Sequence, residues 1–81
     1  MRNNITIELK GNLSRFICTD LKTKVFNINL IKKYKVYDIL KIIGIPKEYI
    51  ALITINSSAC SLDTEVKNKD KVIFYPPIGG G

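Results

Sequence analysis

The sequence predicts an α+β domain in which a mixed sheet of four to five strands packs on one main helix. Three observations predict it. Two early segments alternate apolar and polar residues with period 2, and a middle stretch has helical period. After a glycine–proline stop the chain returns to short, strand-like apolar runs.

The elements follow in order. Ile5, Ile7 and Leu9 alternate with Thr6, Glu8 and Lys10, the pattern of a half-buried strand. Gly11-Asn12 is a turn pair, and Leu13, Phe16 and Ile17 continue apolar contacts through an irregular stretch. The residues from Asp20 to Thr23 form the expected connection of an antiparallel hairpin. Its second strand spans residues 24–30, with Phe26, Ile28 and Leu30 alternating with Asn27 and Asn29.

The period then changes. Val36, Ile39, Leu40 and Ile43 fall at i, i+3, i+4 and i+7, with Lys35, Asp38 and Lys41 off that stripe, which predicts a helix of about ten residues. Gly44 stands where a left-handed residue ends a helix, and Pro46 blocks its continuation. The apolar run 49–55 has the length of a central strand buried on both faces. Asn56-Ser57-Ser58 is turn-like, and a short strand is expected over residues 59–62. Asn68-Lys69-Asp70 is a tight turn in which Asn is the residue tolerant of left-handed backbone. The last strand spans residues 71–75, with Val72 and Phe74 on one face, and Pro76-Pro77 ends it because proline cannot donate to a ladder.

Length and composition restrict the function. With 81 residues there is room for one small core and no deep pocket, which disfavours a self-contained enzyme and favours a carrier, a binding module or a subunit. Hydrophobic residues make up 46% and charged residues 25%, ordinary globular values. No apolar run approaches the roughly 18 residues of a membrane-spanning helix, and Met1 is not followed by a signal-peptide core, so no membrane is expected and the cytoplasm is the expected compartment. The sequence has no histidine, which removes the commonest general base and metal ligand, and no metal site is expected. Cys18 and Cys60 lack the close spacing of a metal knuckle or redox pair and read as reduced thiols in small apolar sites. The net charge is +6, from 13 Lys and Arg against 7 Asp and Glu. Eleven of the basic residues are lysines scattered along the chain, a pattern of solvated charge that disfavours nucleic acid as the partner.

Residues 1–75 therefore form the folded domain, and residues 76–81, Pro-Pro-Ile-Gly-Gly-Gly, a flexible tail. Six extended residues reach roughly 20 Å. The prolines stiffen the exit from the sheet, and glycines without Cβ atoms can thread a narrow channel in another protein. The reactive group is expected to be the end carboxylate. ATP can convert it to an acyl-adenylate, and a sulfur source can replace the adenylate to leave a thiocarboxylate. None of this needs a histidine, a metal or a pocket on this chain.

With its β-grasp order of elements and its ending, residues 70–81, the chain resembles the MoaD/ThiS family of ubiquitin-like sulfur carriers. Quoted in full, that ending is Asp70-Lys71-Val72-Ile73-Phe74-Tyr75-Pro76-Pro77-Ile78-Gly79-Gly80-Gly81. The Pro-Pro pair and the length lean toward the molybdopterin branch, the small subunit of molybdopterin synthase. The resemblance implies that Gly81 carries the acyl-adenylate and then the thiocarboxylate, with Gly80 the second glycine of the motif. It implies that Phe74, Pro76, Pro77, Ile78 and Gly79 meet partners. It implies an adenylating enzyme related to ubiquitin-activating enzymes, which uses the ATP, and insertion of the tail into the large subunit of molybdopterin synthase or another sulfur acceptor enzyme. No cofactor is expected to be held tightly by the chain itself, which is a non-catalytic carrier. Three features depart from the family: three terminal glycines rather than two, Asn68-Lys69-Asp70 where an Asp-Gly-Asp-like turn is usual, and a basic rather than acidic balance. Other readings keep the tail but change its recipient: thiamine thiazole, tRNA thiolation, or a target lysine if the chain is a ubiquitin-like modifier. A β-grasp RNA-binding or interaction module has only the net charge in its favour.

Overall fold

A computed structural model of the chain describes residues 3–11, 13 and 25–77. Within them lie β1 (Asn3–Leu9), β2 (Val25–Leu30), β3 (Tyr34–Lys35), α1 (Val36–Ile43), β4 (Leu52–Ile55), β5 (Ser58–Cys60), β6 (Glu65–Val66) and β7 (Lys71–Tyr75). The five-stranded sheet has the order β2-β1-β7-β4-β5, and β3 with β6 forms a second, two-stranded ladder. β1 pairs antiparallel with β2 and parallel with β7, while β4 runs antiparallel to both β7 and β5. The sheet is therefore mixed, with one helix, as the sequence predicts. The predicted connection at residues 20–23, together with Phe16, Ile17, Cys18 and Lys24, lies outside the described residues.

The core forms where the two periodicities meet. Ile5, Ile7 and Leu9 of β1 are fully buried, as are Val72 and Phe74 of β7, and they face Val36, Ile39 and Leu40 of α1. Leu13, Leu30, Ile45, Ile53 and Val66 complete the cluster, with Phe26 and Ile28 half-buried at its margin.

α1 is eight residues long, coincident with its apolar stripe from Val36 to Ile43 and slightly shorter than the expected length. Its start is set by the Asp38 carboxylate, which accepts a hydrogen bond from the Lys35 N–H at 3.0 Å. The first-turn N–H groups of Val36 and Tyr37 donate to the carbonyls of Thr64 and Leu62, so the loop before β6 satisfies part of the helix end. Gly44 ends the helix at φ 82°, and its N–H donates to the Leu40 carbonyl.

The segment 49–55 departs from the central, doubly buried strand that its composition suggests. Lys47–Tyr49 is a single 3-10 turn with Tyr49 exposed, and only Leu52–Ile55 is strand. The centre of the sheet belongs to β7, with β1 and β4 on either side. Leu52 is 45% exposed because, among the described residues, no layer covers the outer face of the sheet at that position.

The expected strand at 59–62 is shifted to Ser58–Cys60, because the turn before it needs only two residues. Asn56 and Ser57 take φ 52° and 72° between the paired residues Ile55 and Ser58, a hairpin loop with both central residues left-handed. In the turn before β7 the left-handed residue is Lys69 (φ 70°), not Asn68. The Asn68 side chain is used otherwise: its Oδ1 accepts from the Asn4 N–H at 2.8 Å.

Thr54 is only 9% exposed, and its Oγ1 has no hydrogen-bond partner among the described residues. A buried hydroxyl left unpaired costs about 1–3 kcal/mol. Thr54→Val keeps the branched shape and removes that cost. It is expected to stabilise the domain by about 1 kcal/mol, which raises the thermal midpoint by about 4–8 °C. A lowered midpoint would mean that the hydroxyl is satisfied in solution.

Candidate functional site: the exit of the C-terminal segment

β7 delivers Pro76 and Pro77, and its register decides where they emerge. Three side-chain hydrogen bonds fix the start of the strand. The Asp70 carboxylate accepts from the Lys67 N–H at 2.7 Å and from Asn56 Nδ2 at 2.9 Å, while Asn56 Oδ1 accepts from the Lys71 N–H. The turn also reaches β1, since the Lys69 N–H donates to the Asn4 carbonyl and the Thr6 N–H to the Asp70 carbonyl. At the far end the Lys10 N–H donates to the Phe74 carbonyl at 3.0 Å, and the Ala51 N–H to the Tyr75 carbonyl at 2.8 Å. A slip of one residue would break both sets and turn Phe74 outward.

The parallel pairing of β1 and β7 brings their ends together, with Leu9 opposite Phe74. β4 starts at the same end, with Leu52 opposite Tyr75. The exit is thus framed by Lys10, Gly11, Ala51, Leu52 and Tyr75. Gly11 has φ 59°, and a Cβ placed on it would lie 2.7 Å from the Pro76 ring. Pro76 is half-buried against this backbone, and Pro77 is exposed.

The predicted site residues separate into three groups. Pro76 and Pro77 follow β7 directly, at the exit. Phe74 does not belong to a docking surface: its side chain is 0% exposed, packed in the core on the face of β7 shared with Val72. The residues of β7 that face outward are Ile73 and Tyr75, which pair with Thr54 and Leu52 of β4. Ile78, Gly79, Gly80 and Gly81 lie outside the described residues. Gly11, Leu52, Ile73 and Tyr75 were not singled out from the sequence. The alternation of β7 puts Ile73 and Tyr75 together on one face without saying that this face is the outer one, and the contact of Gly11 with Pro76 has no local signature.

The outer face is divided. Toward β2 it is polar, with Asn4 Nδ2 donating to Asn29 Oδ1 and Thr6 Oγ1 to Asn27 Oδ1. Toward β4 and β5 it is apolar, with Leu52, Ile73, Tyr75 and Ala59. Between the halves, Glu8 bridges Lys10 at 2.6 Å and Lys71 at 3.2 Å. Hydrogen bonds from Lys10 and then Lys71 hold the Glu8 carboxyl below its ordinary value of 4.5. The same contact with Glu8 raises the Lys10 ammonium above its ordinary value.

A glutamate whose folded-state pKa is depressed contributes stability that is present above its unfolded-state value and lost as pH falls through the folded-state value. The thermal midpoint is therefore expected to drop on acidification below about pH 4.5, and Glu8→Gln to show a smaller drop over the same range. Added salt at about 1 M should narrow the difference between the two proteins by screening the exposed lysines. Identical acid limbs in both proteins would remove Glu8 from the account.

An open cleft of ≈ 220 Å³ beside the start of β4 is lined by Lys47, Ile50, Ala51, Leu52, Ile53, Cys60, Ser61 and Leu62. Burial pushes the Cys60 thiol up, away from the thiolate form. Among the described residues no group of three or more His, Cys, Asp or Glu is gathered, and no helix is long and apolar enough to cross a membrane.

A mixed sheet folded over one helix, with a central last strand that opens into a proline–glycine segment, defines a ubiquitin-like β-grasp protein. The chain belongs to the Mut7-C ubiquitin family, whose model matches residues 2–79. Solved structures share the fold at low sequence identity. Urm1 from Trypanosoma brucei superposes with a TM-score of 0.73 at 14% identity, covering 99% of this chain and 97% of that one. A putative molybdopterin converting factor, subunit 1, from Pyrococcus furiosus gives 0.71 at 17%, covering 94% and 99%. SAMP1 from Haloferax volcanii gives 0.70 at 15%, covering 98% and 100%. The MoaD/ThiS-like character read from the sequence is thus matched in fold. No curated protein sequence matches the chain.

Proposed function

We propose that the chain is a sulfur carrier whose terminal glycine, Gly81, is activated and thiolated, and that it serves as the small subunit of a molybdopterin synthase. The observation that carries this reading is the register-locked β7, which places Pro76 on Gly11 and leads directly into Pro77-Ile78-Gly79-Gly80-Gly81. The likeness to a putative molybdopterin converting factor subunit supports it.

In the proposed sequence a partner adenylating enzyme joins the Gly81 carboxylate to the α-phosphorus of ATP, and pyrophosphate leaves. Hydrosulfide sulfur attacks the acyl carbon and AMP leaves, so one carboxylate oxygen departs with the nucleotide and sulfur takes its place. The apolar outer face, Leu52, Ile73 and Tyr75, docks the activating enzyme and then the large subunit, and the tail enters the channel of each. The chain supplies position and a leaving path, and the partners supply catalysis, in keeping with a cytoplasmic carrier.

Intact mass of the protein recovered from its own cells tests the reading. The expected species is heavier by about 16 Da, one oxygen replaced by sulfur, and is consumed by a thiol-reactive electrophile. An unchanged mass in wild-type protein from cells making the molybdenum cofactor would overturn it. The likeness to SAMP1, a small archaeal modifier protein, favours a second outcome of the same adenylate, transfer to a lysine amine. Conjugates of higher mass that contain the Gly81 carbonyl would select that outcome.

A further inference from the structure

We infer that Gly11 is a positioning residue for the reacting end of the chain: its bare backbone is the seat on which Pro76 rests, and this contact sets the direction in which residues 77–81 leave the sheet. The inference rests on the reading of the tail as the working part, and it concerns a residue at the far end of the sequence from that tail.

The geometry is specific to this glycine. An ideal Cβ on Gly11 would stand 2.7 Å from Pro76 Cγ, 3.5 Å from Cδ and 3.9 Å from Cβ. Ordinary carbon–carbon contact is about 3.5–4.0 Å, so a side chain at position 11 must displace the ring by roughly 1 Å. The ring has little freedom to give way. Lys10 is bonded to the Phe74 carbonyl just before it, and Ala51 to the Tyr75 carbonyl. Proline also fixes its own φ. The displacement is therefore passed forward along the chain.

Gly44 supplies the internal comparison. It has φ 82°, equally left-handed, but nothing lies within 4 Å of a Cβ placed there. Gly44 is needed for its dihedral alone. Gly11 is needed for its dihedral and for the space of its missing side chain.

The experiment compares Gly11→Asn with Gly44→Asn. Asparagine tolerates left-handed backbone, so both variants are expected to fold, and only the first puts a Cβ against Pro76. Two readouts are taken on the full chain. In the first, nuclear magnetic resonance of the isolated protein should show a Gly11 Hα–Pro76 ring contact in wild type and in Gly44→Asn. In Gly11→Asn, the amide shifts of Ile78 and Gly79, the first two amides after the proline pair, should change. In the second, the fraction of protein carrying the sulfur mass shift in its own cells should fall at least about 10-fold for Gly11→Asn. This estimate is conservative, because a misplacement of about 1 Å at a reacting group can cost 10²-fold. Gly44→Asn should stay within about twofold of wild type, since it leaves the exit untouched.

Folded Gly11→Asn with unchanged amide shifts after Pro76 would overturn the inference, as would a sulfur yield equal to that of Gly44→Asn. If wild type itself carries no sulfur, the carrier reading fails, and the resonance comparison still decides the role of Gly11. Should Gly11→Asn not fold, Gly11→Ser at reduced temperature takes its place with the same criteria.

Discussion

Phe74→Ala is expected to lower the thermal midpoint by about 12–40 °C, and at physiological temperature to leave a large part of the protein unfolded. Phe74 has no exposed surface and sits between Leu9 of β1 and Ile53 of β4 on the core face of the central strand. Truncating a buried phenylalanine to alanine costs about 3–5 kcal/mol, the lost transfer energy plus the cavity left behind. A domain of this length has roughly 4–12 kcal/mol of stability in all, so the loss is about a quarter of it or more. Tyr75→Ala, one residue on and half-buried on the opposite face, should cost far less stability. If Phe74 acted as a docking residue, the order would be reversed: an unchanged midpoint with a loss confined to partner binding. Far-ultraviolet circular dichroism on heating separates the two.

That reversal shows where sequence reading stops. The alternation in β7 correctly puts Val72 and Phe74 on one face, but Ile73 and Tyr75 on the other face are apolar as well. Nothing within five residues says which face is the core. The answer comes from long-range register, since Val72 and Phe74 lie opposite Ile7 and Leu9, the fully buried face of β1. β1 was legible because its other face, Asn4, Thr6 and Glu8, is polar, so only one assignment buries apolar area. The α1 stripe was legible for the same reason, with Val36, Ile39 and Leu40 buried, Lys41 exposed and Asp38 half-exposed.

Segment 49–55 misleads because it is apolar without period. Burial of Ile53 and exposure of Tyr49 and Leu52 are set by neighbours, not by the run itself. β3 and β6 are two residues each, too short to carry any period, and they exist because the loop after β5 folds back over the start of α1. The exit was half legible. Pro76 and Pro77 announce it, but the seat beneath Pro76 is a glycine near the other end of the chain, brought to it by the parallel pairing of β1 with β7.

Removing Gly81 is expected to abolish sulfur loading while leaving the thermal midpoint where it is. The residue lies six positions beyond β7, and the described core ends with Phe74, so the deletion leaves that core intact. Chemistry is affected through distance alone. With Pro76 anchored on Gly11, the carboxylate is placed by counting residues from a fixed point, and loss of one extended residue withdraws it by about 3.3 Å. A reacting group misplaced by about 1 Å can lose 10² in rate, so a withdrawal of this size takes the reaction below detection even though the shortened chain still ends in two glycines, Gly79 and Gly80. The measurement is the thiocarboxylate mass in protein recovered from cells, set beside the melting curve. Retention of sulfur on the shortened chain would show that partners read a two-glycine register and that Gly81 is surplus to it. Loss of sulfur with an unshifted midpoint, against the collapse of the midpoint in Phe74→Ala, would separate the part of this small protein that holds a shape from the part that the shape exists to present.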